Sequence, residues 1–167
     1  MKHTLSILFQ NRFNAIPRMA GLFSGRGYNI DSISFGQGED PGLNRATITT
    51  QGDEQVIEQI AKQLHKLVDV IKVIDLTYEP YVERELALIK VNSSPSTRAE
   101  IMQVTDIFRA KIIDISAKTL TIEVTGKEDK VNAAIGMLEQ FGIREIARTG
   151  SVALKREFQG PVQSKLS

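Results

Sequence analysis

The stretch LSILFQNRFNAIPRMAGLFSGRGYNIDSI, from Leu5 to Ile33, contains a strand, a turn and a helix and decides the fold. Apolar residues at every second position, Leu5, Ile7 and Phe9, predict a strand with one buried face. A polar turn at Asn11 follows, and then an amphipathic helix. A helix that starts directly after such a turn has free N–H groups at its N-terminus, and these favour a carboxylate. The stretch therefore predicts the opening of a fold unit and a small site for an anionic group.

The same order of elements occurs twice along the chain. Hydrophobic periodicity in the first half predicts strands at 4–10, 29–36, 45–50 and 70–77 and helices at 15–24 and 54–68. The second half predicts strands at 85–91, 111–117, 119–125 and 143–149 and helices at 98–109 and 128–141. Both halves have the order βαββαβ. We therefore expect an α+β protein made of two ferredoxin-like βαββαβ domains in tandem.

Breaks in the pattern predict where these domains begin and end. The first domain is expected at residues 1–77 and the second at residues 85–156. Between them, residues 78–84 are expected to form a linker, because Pro80 interrupts the hydrophobic pattern and stops strand pairing. Residues 157–167 have no periodicity and are expected to form a flexible tail.

Polar residues at the expected helix starts predict how three of the helices are capped. Asp53 stands where the N-cap of the second helix should lie. Thr97 with Glu100, and Thr125 with Glu128, have the spacing of a capping box. We expect side-chain caps at all three positions.

The composition is that of a globular protein with no unusual charge. The chain has 167 residues, of which 41% are hydrophobic and 25% charged, and its formal net charge is +1. That balance disfavours binding to nucleic acid, and no apolar run approaches the length that spans a membrane. Met1 leads straight into a strand, without the apolar segment of a secretory signal, and the chain has no cysteine. These observations predict a cytoplasmic protein that contacts neither membrane nor nucleic acid.

The chain is poor in the residues that enzymes use. Its two histidines, His3 and His65, are expected at surface or boundary positions and share no site. The glycine pairs Gly25 and Gly27, and Gly36 and Gly38, complete neither a phosphate loop nor a dinucleotide fingerprint. We expect no catalytic residue, no metal site and no cofactor in this chain.

The first domain does contain groups that match a free amino acid. A zwitterion needs donors for its carboxylate, acceptors for its ammonium group and an apolar slot for its side chain. The start of the first helix, Asn14-Ala15-Ile16, can supply backbone N–H donors. The amide oxygens of Asn11 and Asn29 can accept from the ammonium group, and Ile16 and Ile30 can form the slot. The alternative is that Asn11 only turns the chain and Asn29 only starts a strand.

Short stretches in order along nearly the whole chain match the pattern of a single family. The matches are Asn11 with Arg18, Gly21-Leu22-Phe23-Ser24, Arg26-Gly27-Tyr28-Asn29-Ile30-Asp31-Ser32, Glu39-Asp40-Pro41-Gly42-Leu43, Glu58-Gln59-Ile60 with Lys62-Gln63-Leu64, Lys66-Leu67-Val68-Asp69-Val70-Ile71-Lys72-Val73, Val82-Glu83-Arg84-Glu85-Leu86-Ala87-Leu88-Ile89-Lys90-Val91, Ile107-Phe108-Arg109-Ala110-Lys111-Ile112 and Ile146-Ala147-Arg148-Thr149-Gly150. With these matches the chain resembles the regulatory (small) subunit of acetohydroxyacid synthase, also called acetolactate synthase, with its N-terminal ACT domain.

The resemblance implies a non-catalytic protein that activates the large catalytic subunit and confers feedback inhibition by valine or a related branched-chain amino acid. The first domain would be the ACT domain, responsible for effector binding and dimerisation. In the family, the turn of one subunit and the Asn-Ile pair of its neighbour enclose the effector in a homodimer. Carried over by position, the effector-binding residues are Asn11, Asn14, Ala15, Ile16, Asn29 and Ile30. Thiamine diphosphate, flavin (FAD) and magnesium would belong to the catalytic partner.

The chain departs from the family pattern just after Asn11. The family usually has a small residue or proline and then glycine, where this chain has Phe13 and Asn14. If that glycine has a positive φ, asparagine is the least costly replacement, although its side chain occupies space left for the ligand. We expect the fold and subunit pairing to survive and effector affinity to be weakened or retuned.

Three other interpretations remain open at the level of sequence. The chain could be a free-standing amino-acid sensor of paired ACT-like domains that acts on another enzyme or on transcription. A nucleic-acid binder is disfavoured because the strand faces at Thr47, Thr49, Thr121 and Glu123 lack an aromatic and basic platform. A small hydrolase would have to use Arg18 or Arg26 to hold an anion, and these residues are expected on a helix surface.

Overall fold

Residues 1–157 are described by a computed structural model, and they form two successive βαββαβ units. The elements of the first unit are β1 (Lys2–Gln10), α1 (Ala15–Gly25), β2 (Ile30–Gln37), β3 (Leu43–Gln51), α2 (Glu54–His65) and β4 (Val70–Asp75). Its antiparallel sheet has the order β2-β3-β1-β4. The strands β2 and β4 are therefore the edges of this sheet.

The second unit repeats this plan and adds one strand. Its elements are β5 (Tyr81–Asn92), α3 (Arg98–Ile107), β6 (Lys111–Ile115), β7 (Thr119–Gly126), α4 (Glu128–Leu138), a 3-10 turn (Glu139–Phe141), β8 (Ile143–Arg148) and β9 (Val152–Lys155). The sheet order is β6-β7-β5-β8, and β9 pairs with the beginning of β5. The tandem ferredoxin-like α+β fold predicted from the two repeats is confirmed.

Each unit has its own hydrophobic core between its helices and one face of its sheet. In the first unit, Leu5, Ile7 and Phe9 of β1 pack with Met19 and Phe23 of α1. The second core is built in the same way from the inward residues of its sheet and helices, among them Ile89, Val91, Ile101, Ile122, Val131 and Leu138. The periodicity that predicted the elements therefore also predicted which side chains would be buried.

The polar face of the first sheet is also buried, because the second unit covers it. Thr47 and Thr49 of β3 are each only 2% exposed. The N–H of Ala153 in β9 donates a 3.2 Å hydrogen bond to Oγ1 of Thr47, and β9 contacts β1 and β3. Of the faces considered for nucleic-acid binding, the one at Thr47 and Thr49 is thus closed by the protein itself.

A tight turn brings the second unit onto the first. Gly150, just before β9, has a φ of +72°. A Cβ atom at this position would lie 2.9 Å from Cβ of Ser32, which belongs to β2. Both the backbone conformation and the close approach therefore require glycine here.

The boundaries of several elements differ from those expected. Strand β5 begins at Tyr81, so part of the linker expected at residues 78–84 is paired with the unexpected β9. Helix α2 ends at His65 instead of continuing to residue 68, because Lys66 and Leu67 form i to i−3 bonds with Gln63 and Leu64. Residues 158–167 of the expected tail lie outside the described residues.

One predicted helix cap is confirmed and two are wrong. Asp53 caps α2 by accepting a 2.9 Å hydrogen bond from the N–H of Val56. Thr97 makes no side-chain cap on α3, because its hydroxyl group interacts with Ser94 in the preceding turn. Helix α4 is preceded by Lys127 as its N-cap residue, so Thr125 lies too early to cap it.

Candidate functional site

A short turn joins β1 to the N-terminus of α1 and holds four of the six expected site residues. The N–H of Asn11 donates to the carbonyl oxygen of Gly42, at 2.9 Å, and fixes the turn beside the start of β3. Ala15 and Ile16 are the first two residues of α1, and Asn14 is its N-cap residue. The structure therefore places Asn11, Asn14, Ala15 and Ile16 in one turn and the first helical residues after it.

Asn14 has the left-handed backbone conformation that would favour glycine. Its φ is 71° and its ψ is 8°, and its side chain makes no capping hydrogen bond. Asparagine is among the few residues other than glycine that adopt this conformation at low cost. The condition stated for this position, a positive φ, is therefore met, and the side chain of Asn14 is exposed.

The first turn of α1 leaves one backbone donor unused. The N–H of Ala15 donates to Arg12 and that of Arg18 to Asn14, while Pro17 has none. Among the hydrogen bonds of residues 1–157, none uses the N–H of Ile16. This donor lies at the positive end of the helix dipole, where a carboxylate is stabilised.

Two arginines hold the turn in place through a buried carboxylate. Asp69 is 4% exposed. Its carboxylate lies 3.9 Å from Nε of Arg12 and 3.4 Å from Nη1 of Arg18. Arg18 is therefore a positioning residue for the turn, and its guanidinium group already has a partner. That assignment counts against Arg18 as the anion-binding cation of the hydrolase interpretation, which named Arg26 as the other choice.

The other two expected site residues lie at the far end of the sheet. The side-chain amide of Asn29 donates to Asp31 at 2.9 Å, and its backbone carbonyl accepts from the hydroxyl of Thr50. Ile30 is the first residue of β2 and is half-buried.

The two groups of site residues are far apart within one chain. The turn lies beside Asn44 of β3, whereas Ile30 pairs with Thr50 of the same strand. These two positions lie six residues apart along the strand, a span of about 20 Å. A single chain therefore does not bring Asn11 and Asn29 into one site.

A cavity behind β2 contains residues that the sequence did not single out. It has a volume of about 500 Å³ and is lined by Ile30 to Ile33 on one side and by Glu85 and Arg148 to Ser151 on the other. Glu85 is 4% exposed and forms an ion pair with Arg148. The one sequence signal for this junction is Gly150, which follows a strand where the fold needs a left-handed turn.

His3 was expected at a surface or boundary position, and that prediction is wrong. It is 1% exposed, because β1 begins at Lys2 and the ring lies beneath Tyr78 and α2. In the described part of the chain, no group of three or more acidic or histidine side chains is arranged to hold a metal ion. No helix within residues 1–157 is long and apolar enough to cross a membrane.

The fold and this turn together define a class of protein, namely one with tandem ferredoxin-like domains of the ACT type. Two family descriptions match the two units in order. Residues 5–72 match "AHAS small subunit-like ACT domain", and residues 84–157 match "Small subunit of acetolactate synthase".

Relatives and one solved structure are similar to this chain over nearly its full length. The acetolactate synthase small subunit of Aquifex aeolicus is 52% identical, over 93% of this chain and 82% of that protein. The probable acetolactate synthase small subunit of Archaeoglobus fulgidus is 51% identical, over 93% of this chain and 98% of that protein. A crystal structure of the small subunit from Thermotoga maritima has 46% identity and a TM-score of 0.88, with 95% of this chain and 99% of that one covered.

The chain belongs to the family of acetolactate synthase small subunits. This family is the regulatory subunit of the synthase and not its catalytic subunit. The resemblance seen in the sequence is thereby confirmed.

Proposed function

We propose that this chain binds the catalytic large subunit of acetolactate synthase, activates it, and makes it sensitive to valine or a related branched-chain amino acid. Family membership over the whole described length is the observation that supports this proposal. In this assignment the thiamine diphosphate, FAD and magnesium belong to the large subunit. The cytoplasmic location expected from the sequence stays a prediction.

The effector site is proposed at the seam of a homodimer. Strand β2 is an edge of the first sheet, so its outer side is open to a second copy. If two β2 strands pair antiparallel about a two-fold axis, Ile30 of one copy lies near Gln37 of the other. Gln37 pairs with Asn44, which pairs with Phe9 just before the turn. The separation of about 20 Å within one chain therefore becomes proximity between two chains.

The groups at this seam suit an amino acid zwitterion. The free N–H of Ile16, at the start of α1, would donate to the carboxylate. The amide oxygens of Asn11 and Asn29 would accept from the ammonium group, and Ile16 and Ile30 would border the aliphatic side chain. Ala15 is buried beneath this turn and supports it from the core. Selectivity among aliphatic amino acids would be modest, because one methylene contributes about 1–3 kcal/mol.

The domain assignment follows the same proposal. Residues 1–77 would form the effector-binding and dimerising ACT domain, and residues 85–156 the ACT-like second domain. Effector binding would change the orientation of the two paired first domains relative to each other and so reduce the activation of the catalytic subunit. A typical coupling of about 1–3 kcal/mol would change apparent inhibition roughly 5- to 150-fold.

Mixed dimers test whether the site is shared between copies. We expect Asn11→Ala and Asn29→Ala each to abolish valine binding in their own homodimers. In a mixed dimer, one of the two effector sites carries both substitutions and the other carries neither. Calorimetry on mixed dimers isolated with two different tags should therefore recover one full-affinity site per dimer. If the mixed dimers bind no valine, the shared site is refuted.

An activity assay tests the partnership itself. The large subunit alone should be weakly active, its activity should rise when this chain is added, and valine should reverse the gain. Asn14→Gly should strengthen inhibition by valine, because it removes a side chain from the space beside the helix N-terminus. A large subunit that ignores the chain at saturating concentration would favour the alternative, a sensor that acts on another enzyme.

A further inference from the structure

A second cleft in the first domain lies at the opposite edge of the sheet from β2. It has a volume of about 240 Å³ and lies between α2, the end of β4 and the segment that follows it. Its walls carry three carboxylates, those of Glu54, Glu58 and Asp75, and its floor includes the apolar side chain of Ile57. No lysine or arginine is among the described residues that line it. The cleft is therefore acidic with an apolar base.

A buried histidine also lines this cleft. His3 is 1% exposed, and neither of its ring nitrogens has a hydrogen-bond partner. Its Nδ1 lies 3.4 Å from a carboxylate oxygen of Asp75, without hydrogen-bonding geometry. Buried polar atoms are nearly always hydrogen-bonded, so this ring requires an explanation that the rest of the fold does not supply.

Tyr78 closes one side of the cleft with a polar contact. Its hydroxyl donates a 3.0 Å hydrogen bond to Glu54, and its ring meets that of His3 edge to face, with centroids 6.0 Å apart. The hydrogen bond to Glu54, followed by desolvation, raises the pKa of Tyr78, so the phenol stays protonated and donating. The hydroxyl thus holds one carboxylate beside the buried ring.

We propose that this cleft binds an aliphatic cation, meaning a primary ammonium or guanidinium group on a hydrocarbon stem. The charged head would lie among Glu54, Glu58 and Asp75, beside the ring of His3, whose two nitrogens are themselves buried. The stem would pack on Ile57, as the stems of lysine and arginine do on apolar surface. The N-terminal charge of α2 does not oppose this binding, because Asp53 caps the helix and Glu54 is its first residue.

The two histidines allow the site to be tested by NMR on the intact protein. The ring nitrogens of His3 report on the cleft, while His65, exposed at the end of α2, is an internal control. We expect n-butylammonium to shift the His3 signals saturably and to leave those of His65 unchanged. We expect n-butanol, which has the same stem without the charge, to leave both unchanged. Equal responses to the two probes, or none at His3, would overturn the proposal.

Charge-removing variants provide a second measurement. Glu58→Gln should weaken n-butylammonium binding about fivefold, the loss expected for one exposed charged partner, and added salt should weaken it further. Glu100→Gln, on α3 of the second domain, is the matched control and should bind as the wild type does. A Glu58→Gln protein that binds with unchanged affinity would refute the role of the carboxylates.

Two further probes distinguish the source of the cation. N-acetyl-lysine methylamide represents a lysine side chain on a partner protein, and cadaverine represents a free diamine. Tighter binding of the first supports a docking residue, and tighter binding of the second supports a metabolite. Valine is the control for the proposed effector site at β2 and should not shift the His3 signals. If n-butylammonium does not bind the cleft, the proposal of the effector site is therefore unaffected.

Discussion

At the scale of single residues, the backbone angle of Asn14 explains why asparagine can replace the glycine that the family usually has here. Its φ of 71° makes most residues costly at this position. We expect Asn14→Ala to lower the free energy of unfolding by about 1 kcal/mol and Asn14→Gly to leave it nearly unchanged. Chemical denaturation measures both. Phe13→Ala, at a neighbouring side chain that is 93% exposed, is the control and should be neutral. An alanine variant as stable as wild type would show that the turn relaxes.

Gly150 gives a sharper case, because both conformation and space exclude a side chain. Gly150→Ala would introduce strain at φ +72° and a Cβ atom 2.9 Å from Ser32. We expect destabilisation of about 2–3 kcal/mol. Gly136→Ala is the matched control, since it lies inside α4 with no atom within 4 Å of the new Cβ, and it should stabilise by about 0.5–1 kcal/mol. If Gly150→Ala melts like wild type, the two units do not meet closely at this turn.

Asn14 and His3 differ in how far their surroundings could be predicted from the sequence. The positive φ at Asn14 could be anticipated because glycine and asparagine share a rare backbone conformation. The burial of His3 could not be anticipated. A histidine near the end of a strand belongs to no hydrophobic pattern that would tell a buried position from an exposed one. What covers it is Tyr78, which lies 75 residues later in the numbering and was assigned to a linker.

At the scale of elements, β9 is the strand that sequence reasoning missed. The segment Val152–Lys155 has only four residues and no clear alternation. Its pairing partner is Tyr81–Arg84, about 70 positions earlier. Long, periodic elements such as α2 were predicted because their pattern is local, whereas β9 depends on a remote strand and on the polar face of the first sheet.

The buried position of β9 leads to a prediction about Ala153. This residue is 1% exposed, and its N–H donates to Thr47 across the two units. Ala153→Asp should lower the free energy of unfolding by about 3 kcal/mol, because an unpaired carboxylate would be buried. Leu154→Asp, at the adjacent residue that is 53% exposed, should change it by less than about 0.5 kcal/mol. Equal effects of the two substitutions would mean that β9 does not cover the first sheet.

At the scale of the whole molecule, the proposed effector site depends on two groups of residues that one chain holds far apart. Its six residues were chosen from the sequence by their chemistry and their family positions, and their role in binding an effector stays a prediction. The distance between the turn and Ile30 follows only from the pairing register. The turn lies beside one end of β3, and Ile30 pairs with the other end. Repeated topology predicted the two βαββαβ units, and the family resemblance already implied a site shared with a second copy. The separation within one chain gives the physical reason why a second copy would be needed.

The final prediction tests which edge of the molecule pairs. Phe35 is 53% exposed on the edge strand β2, and Ile113 is 49% exposed on β6, the corresponding edge of the second sheet. Because a two-fold seam places each substitution near its copy, Phe35→Lys should bring like charges together and raise the dimer dissociation constant about tenfold. Ile113→Lys should leave it unchanged. Sedimentation equilibrium at low salt measures the dimer dissociation constant of each variant. Valine affinity should decrease in Phe35→Lys, which loses the dimer, and stay unchanged in Ile113→Lys. If Ile113→Lys separates the dimer and Phe35→Lys does not, the copies pair through the second sheet, and Asn11 and Asn29 do not share a site.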